Sequence, residues 1–176
     1  MTSAAPDLQA WVGREQAMRA TLDPLVVQGL AATLDWAHVP VSGEPLPPGW
    51  QWLYYNPMAQ AQELGEDGHP RRTGDSFLPP VDLPRRMWAG SRIDYHAPLA
   101  VGGAATRTSR VLRITPKGGR SGRMCFVTVV HRTEDGAGRT CIVEEQDIVY
   151  REASAPRAVQ SPASRAEPAP GAGTSG

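Results

Sequence analysis

Lysine is nearly missing from this chain. Lys117 stands alone among 18 basic residues, so arginine carries the positive charge. Cysteine, phenylalanine and histidine are sparse too, with two, two and four copies in 176 residues. No apolar run reaches the roughly 18 residues that span a bilayer. The opening Met1–Asp7 lacks a basic region followed by an apolar stretch, so no signal peptide is expected. The two thiols, Cys125 and Cys141, lie in apolar segments. A hairpin turning at 135–138 sets residue 125 opposite about residue 148 rather than 141, so no disulfide is expected and a reducing cytoplasm fits.

Other absences exclude chemistry. His38, His69, His96 and His131 form neither His-x-x-x-His nor His-Glu-x-x-His spacing, and neither cysteine has a metal-spaced partner, so no metal site is expected. The glycine-rich Gly118–Gly122 is neither a phosphate loop followed by lysine nor a dinucleotide fingerprint, and reads as a turn. No serine occupies a nucleophile elbow. With 18 acidic residues against 18 basic ones, the concentrated basic surface that long nucleic acid requires is not expected.

Proline and glycine, in contrast, are plentiful and mark the organisation. Residues 153–176 are mostly Ala, Ser, Pro and Gly with little apolar surface to bury, and read as a disordered tail or linker stub. Residues 1–152 are expected to form one domain. Within it, residues 11–34 read as helical, with an opening segment Trp11–Thr21 and a second helix capped by Asp23 and begun by Pro24. Leu25, Val26, Gly29, Leu30 and Thr33 are expected on its inward face. Residues 35–87 carry nine prolines and are mostly irregular around the aromatic block Trp50–Tyr55, which either packs in the core or walls a pocket.

Residues 88–150 alternate as strands near Trp88–Tyr95, Ala104–Ile114, Met124–Val130 and Thr140–Tyr150. The third is apolar throughout and is expected at the sheet centre, the second near an edge, with the chain turning at Thr115–Gly119. One helix packed on a long antiparallel sheet is an α+β solution.

The candidate chemistry is local. His69 lies on a glycine-flanked loop beside Asp67, and His96 follows Asp94 at a strand end. Each pair suits acid–base or ligand-contact work as well as ordinary loop structure. Arg71, Arg72, Arg85, Arg86 and Arg92 gather five guanidiniums in 22 residues, a rim suited to a diphosphate such as that of coenzyme A, or simply a solvated face. In the run Glu144–Asp147, alternation sends Glu145 and Asp147 to one face and Glu144 and Gln146 to the other. At least one of those faces must be wet or paired.

The ordered series Trp50–Pro57, Leu64–Pro70, Phe77–Pro80, Leu83–Arg92, Pro98-Leu99, Gly118–Gly122, Phe126–Val129, His131 and Glu144–Arg151 resembles the N-terminal half of the mesaconyl-C4-CoA (3-methylfumaryl-CoA) hydratases. The resemblance covers about residues 15–151. It implies a MaoC-related dehydratase domain with a hot-dog fold, an antiparallel sheet wrapped round a central helix, here the one begun by Pro24. Full-length members carry a second hot-dog domain. The hydratase motif of the wider MaoC-like class sets an aspartate beside Asn-Pro and a histidine shortly after. This chain has Asn56-Pro57 preceded by Tyr54 and Tyr55, with no histidine before His69, so the catalytic pair is not carried over.

The resemblance therefore implies an accessory, tunnel-forming subunit of an acyl-thioester hydratase or dehydratase, with Asp and His supplied by a separate MaoC-like catalytic chain. The substrate would be carried as a CoA or acyl-carrier thioester, with no further cofactor and neither nucleic acid nor membrane as partner. Two alternatives stay open: a self-sufficient homodimeric hydratase using His69 with Asp67 or Asp94, and a non-catalytic acyl-CoA or acyl-carrier binding module.

Overall fold

The computed structural model describes residues 7–71, 75–119 and 122–153. The tail expected at 153–176 lies, beyond Ala153, outside the described residues. The first strand, β1 (Glu15–Thr21), occupies the segment expected to be helical. Its Ala, Glu, Met and Arg favour helix intrinsically, but pairing with a neighbouring strand overrides so weak a preference. The helix α1 (Pro24–Thr33) follows. As expected, the Asp23 carboxylate accepts from the Leu25 N–H at 2.8 Å and proline holds the first turn.

Four more strands complete one antiparallel sheet: β2 (Arg85–Tyr95), β3 (Ala104–Gly119), β4 (Gly122–Asp135) and β5 (Thr140–Arg151). Their spatial order is β1-β3-β4-β5-β2. Apolar β4 is central, as expected. β3 lies near an edge, as expected, but one strand in from it, because β1 pairs along it with Glu15 opposite Arg110 and Thr21 opposite Ala104. It also runs on through Gly119, so the expected turn at Thr115–Gly119 is strand. Cys125 faces Tyr150, and both cysteines are free and buried.

The inner face of the sheet has three zones. At one end Ala105, Cys141 and Ile142 pack with Val27 and Ala31 of α1 and with Leu22, Leu46, Trp50, Leu99 and Val101. The helix therefore buries Val27 and Ala31, whereas Leu25 of the expected inward face is 71% exposed. At the other end Val111, Ile114, Cys125, Val127, Val129, Ile148 and Tyr150 form an apolar floor under Val81, Leu83, Phe77 and Leu78. Trp11 Nε1–H donates to the Ser76 carbonyl at 3.1 Å, and Arg14 Nη1 donates to the same oxygen at 2.8 Å, tying this cover to the N-terminal turn Leu8–Trp11.

Between the two apolar zones lies a polar band. Register places Ser109 opposite His131, His131 opposite Glu144, and Ser91 opposite Gln146. The buried residues of α1, Val27 and Ala31, pack at the first end and not over this band.

The outer face is ionic. Arg92 donates to Glu145 at 2.7 Å and to Asp147 at 3.1 Å, and Asp147 accepts from the Thr128 hydroxyl at 2.7 Å. Glu145 and Asp147 thus share one face and Glu144 and Gln146 the other, as alternation predicts.

Candidate functional site

A cavity of about 650 Å³ opens over the polar band. The sheet supplies its floor, with Gln16 and Met18 of β1, Arg107 and Ser109 of β3, Val129 and His131 of β4, and Glu144, Gln146 and Ile148 of β5. Its walls come from Trp52–Pro57, His69–Arg71, Ser76–Leu78 and the Arg86–Trp88 stretch of β2. The aromatic block thus does both things open to it. Trp50 is core, set edge-on to Trp36 at 4.8 Å, while Trp52 and Tyr55 wall the cavity.

Alternation along three neighbouring strands builds the polar floor. His131, 9% exposed, has both ring nitrogens engaged: Nδ1 lies 2.7 Å from Ser109 Oγ and Nε2 lies 3.1 Å from Gln146 Oε1. The Gln146 oxygen accepts, so Nε2 carries the proton and Nδ1 accepts from the serine hydroxyl. Burial, aided by the nearby Arg107 charge, holds the imidazole below its ordinary value against the opposing pull of Gln146 and Glu144. His131 is therefore neutral near pH 7. Glu144, 4% exposed, is likewise committed, accepting from Trp52 Nε1 at 2.9 Å and from Ser91 Oγ at 2.6 Å. Trp88 Nε1 in turn donates to Ser91 Oγ at 3.1 Å.

Arg107 is held differently. Its guanidinium lies 4.6 Å from the Tyr55 ring centroid, and Nη2 donates to the Tyr55 carbonyl at 3.0 Å. Burial lowers its pKa, while the Tyr55 and Glu144 charges pull upward. Among the described residues, its Nε and the Tyr55 hydroxyl are both buried without a hydrogen-bond partner.

The residues singled out from the sequence scatter. His69 reaches the cavity wall, with Nδ1 3.4 Å from Asp67 Oδ2 and its backbone N–H donating to Asp67 Oδ1 at 3.2 Å. Asp94 alternates to the outer face, and His96 sits by a separate hollow bordered by Pro45–Pro48 and Leu99. Of the five arginines, Arg71 and Arg86 border the cavity. Arg85 is exposed outside it, Arg92 is paired on the opposite face of the sheet, and Arg72 lies outside the described residues. Arg107, Ser109, His131, Glu144 and Gln146 were not read as a site. The signal was present as polar residues two apart on strands β3 and β5 flanking one histidine in an apolar strand. Among the described residues no group of His, Cys, Asp or Glu is assembled to hold a metal.

A sheet with one helix and an inner-face cavity is the hot-dog architecture of acyl-thioester dehydratases. Chain-level similarity agrees. The model of the hydroxyacyl-thioester dehydratase type 2 family matches residues 49–173, and the chain belongs to that family. It is 44% identical over 163 residues to the mesaconyl-C(4)-CoA hydratase of Chloroflexus aurantiacus, across 92% of this chain and 56% of that protein. The chain thus spans little more than half the length of this relative. Among solved structures, the ChsH1-ChsH2 complex of Mycobacterium tuberculosis is similar in fold, with TM-score 0.59 and 14% identity over 85% of this chain and 90% of that one. The C-terminally truncated HadBC (3R-hydroxyacyl-ACP dehydratase) complex from the same organism gives 0.50 and 9% identity over 82% and 98%. No helix among the described residues is long and apolar enough to cross a membrane.

Proposed function

We propose that this chain is the acyl-binding half of an acyl-thioester hydratase or dehydratase and that a second hot-dog unit of MaoC type supplies the water-activating groups. The observation that carries this reading is the state of the cavity's own acid–base side chains. Hydration needs a residue free to take and return a proton beside the reacting carbon. Both nitrogens of His131 and both oxygens of Glu144 are already occupied by protein partners. What remains is an apolar-walled, polar-floored chamber suited to holding an acyl chain, with Arg71 and Arg86 at its border to meet the phosphates of a CoA or carrier thioester. The two-chain makeup of the ChsH1-ChsH2 and HadBC complexes supports a paired assembly.

The test is turnover of crotonyl-CoA and mesaconyl-CoA by the purified chain, alone and mixed with a MaoC-like chain from the same cell, with native mass spectrometry of the mixture. The expected result is a fixed-ratio complex that adds water to the enoyl thioester while the chain alone does not.

A second reading has one specific observation in its favour, the contact of Asp67 with His69 at the cavity wall. Enzyme-like turnover by the chain alone, abolished in His69→Ala, would establish a self-sufficient homodimer and displace the two-chain proposal. Thioester binding without turnover in any mixture leaves a binding module.

A further inference from the structure

Two indoles that line the cavity are anchored to one buried carboxylate. Trp52 Nε1 donates to one oxygen of Glu144 at 2.9 Å, the Ser91 hydroxyl donates to the other at 2.6 Å, and Trp88 Nε1 donates to Ser91 Oγ at 3.1 Å. Glu144 is 4% exposed, whereas Trp52 and Trp88 are 46% and 62% exposed and both border the cavity. The Ser91 link depends on an irregularity in β2. Trp88 lies opposite Ile148 and Gly90 opposite Asp147, so Ala89 is an extra residue, a β-bulge. Strict alternation would send Ser91 to the face opposite Trp88. The bulge returns it to the cavity face, opposite Gln146.

We propose that Trp52 and Trp88 form the contact surface for the pantetheine arm of the thioester, and that Glu144 and Ser91 are positioning residues that hold the two rings in place. This rests on the thioester-binding reading above. On half-exposed residues, indole N–H groups can turn to water, so a buried carboxylate is not needed to satisfy them, and burying one is costly. What the relay adds is a fixed ring orientation. With each nitrogen tied inward, the surface left to a ligand is aromatic carbon. Planar amides and a branched aliphatic carbon, the makeup of the arm, fit such a surface. Place on the strand selects the arm over the rest of the ligand. Trp88 is two residues from Arg86 along β2, roughly 7 Å, so phosphates met by Arg86 put the neighbouring stretch of the arm over Trp88. The acyl group then lies further across the sheet, over His131 and Ser109.

The experiment is fluorine NMR of the full chain labelled with 5-fluorotryptophan, with its partner subunit where one co-purifies. The five tryptophans are assigned by single replacements with phenylalanine. Butyryl-CoA, whose saturated acyl group cannot be hydrated, is the probe. Adenosine 3′,5′-bisphosphate, which carries nucleotide phosphates without the arm, is the control. Butyryl-CoA is expected to shift the Trp52 and Trp88 resonances and leave Trp11, Trp36 and Trp50 in place, and the control to shift none. Ser91→Ala should weaken butyryl-CoA binding about 3- to 10-fold, the worth of one hydrogen bond. Trp88→Phe, which keeps a ring but loses the N–H, should cost a similar factor. The double variant should lose no more than either single one, because Ser91 acts through the indole. Binding of butyryl-CoA with neither indole shifted, equal shifts by the control, or multiplied losses in the double variant overturns the assignment and spares the thioester reading. No binding of butyryl-CoA removes both. Should Ser91→Ala not fold, as judged by circular dichroism, the natural chain's spectrum and Trp88→Ala decide. An affinity loss below about twofold in Trp88→Ala counts against the assignment.

Discussion

The neutral, doubly engaged His131 makes a pH prediction. Its ordinary value is 6.5, and in the folded chain burial and the Arg107 charge depress it. The unfolded chain therefore takes up a proton as pH falls through 6.5, while the folded chain does not. Stability rises with pH wherever the unfolded state binds more protons, so here it falls as the solution is acidified. The limiting slope for one group is about 1.4 kcal/mol per pH unit, which caps the loss between pH 6.5 and 5 at about 2 kcal/mol. For a domain of this size that is roughly 4–8 °C in Tm. The carboxylates held low by hydrogen bonds, among them Asp147 to Thr128, Asp135 to the Arg139 backbone and Glu44 to the Val41 backbone, act in the same sense as the depressed imidazole, but they start from ordinary values of 3.8 to 4.5 and so act mostly below this window.

Urea unfolding followed by tryptophan fluorescence at half-unit steps from pH 8 to 5 reads this slope directly. The free energy should be flat above pH 7 and decline below 6.5. His131→Gln, which removes the titrating ring, should lower stability at pH 8 and flatten the decline. A natural chain with no slope between pH 6.5 and 5, or a His131→Gln chain that keeps it, would falsify the assignment of a depressed imidazole.

Three further outcomes follow from the packing and the ion pairs. Glu144→Ala leaves the Trp52 indole and the Ser91 hydroxyl without their acceptor and should cost about 3 kcal/mol in chemical denaturation, with Glu144→Gln costing less than half of that. Val127→Ala, at a fully buried position on the central strand, should cost about 2–3 kcal/mol by thermal or urea melts. Arg92→Ala removes an exposed pair of contacts on the outer face, so thioester affinity should be unchanged and any drop in Tm should fade at high salt.

Legibility in the sequence varied with how local the determinant is. The Asp23 cap and Pro24 start act within one turn, and α1 begins where they say. The apolar run of β4 announced a central strand because burial on both faces needs no partner information. β1 was lost because Glu15–Thr21 is made of helix formers, and only its register with β3 makes it a strand. That one loss also hid the strand that covers β3 on its outer side. The face of α1 was misread because apolar residues occupy most of its ten positions, so spacing alone does not choose between Val27/Ala31 and Leu25/Gly29. The site suffered most. Charged pairs close in sequence drew attention to Asp94 and Arg92, whereas the cavity's hydrogen-bond partners lie 15 to 92 positions apart and meet only in the folded sheet and its cover.

The cavity itself follows from those strand positions. A helix could lie across the full inner face only if that face were apolar along its length, as it is at Ala105–Ile142 and again at Val111–Tyr150. Arg107, Ser109, His131, Glu144 and Gln146 interrupt it between. Capping them with aliphatic side chains would bury a guanidinium and a carboxylate without solvent, at a cost that packing cannot recover. The chain instead confines α1 to one end and roofs the middle with proline-stiffened segments that carry Trp52, Tyr55 and Phe77. Arg107→Met, which removes a buried guanidinium with no carboxylate partner among the described residues, should therefore be far better tolerated for folding than Glu144→Leu, which strands the Trp52 indole and the Ser91 hydroxyl. Greater stability of Arg107→Met than of Glu144→Leu, measured by urea unfolding, is the signature expected of a guanidinium kept for what it binds and not for what it holds together.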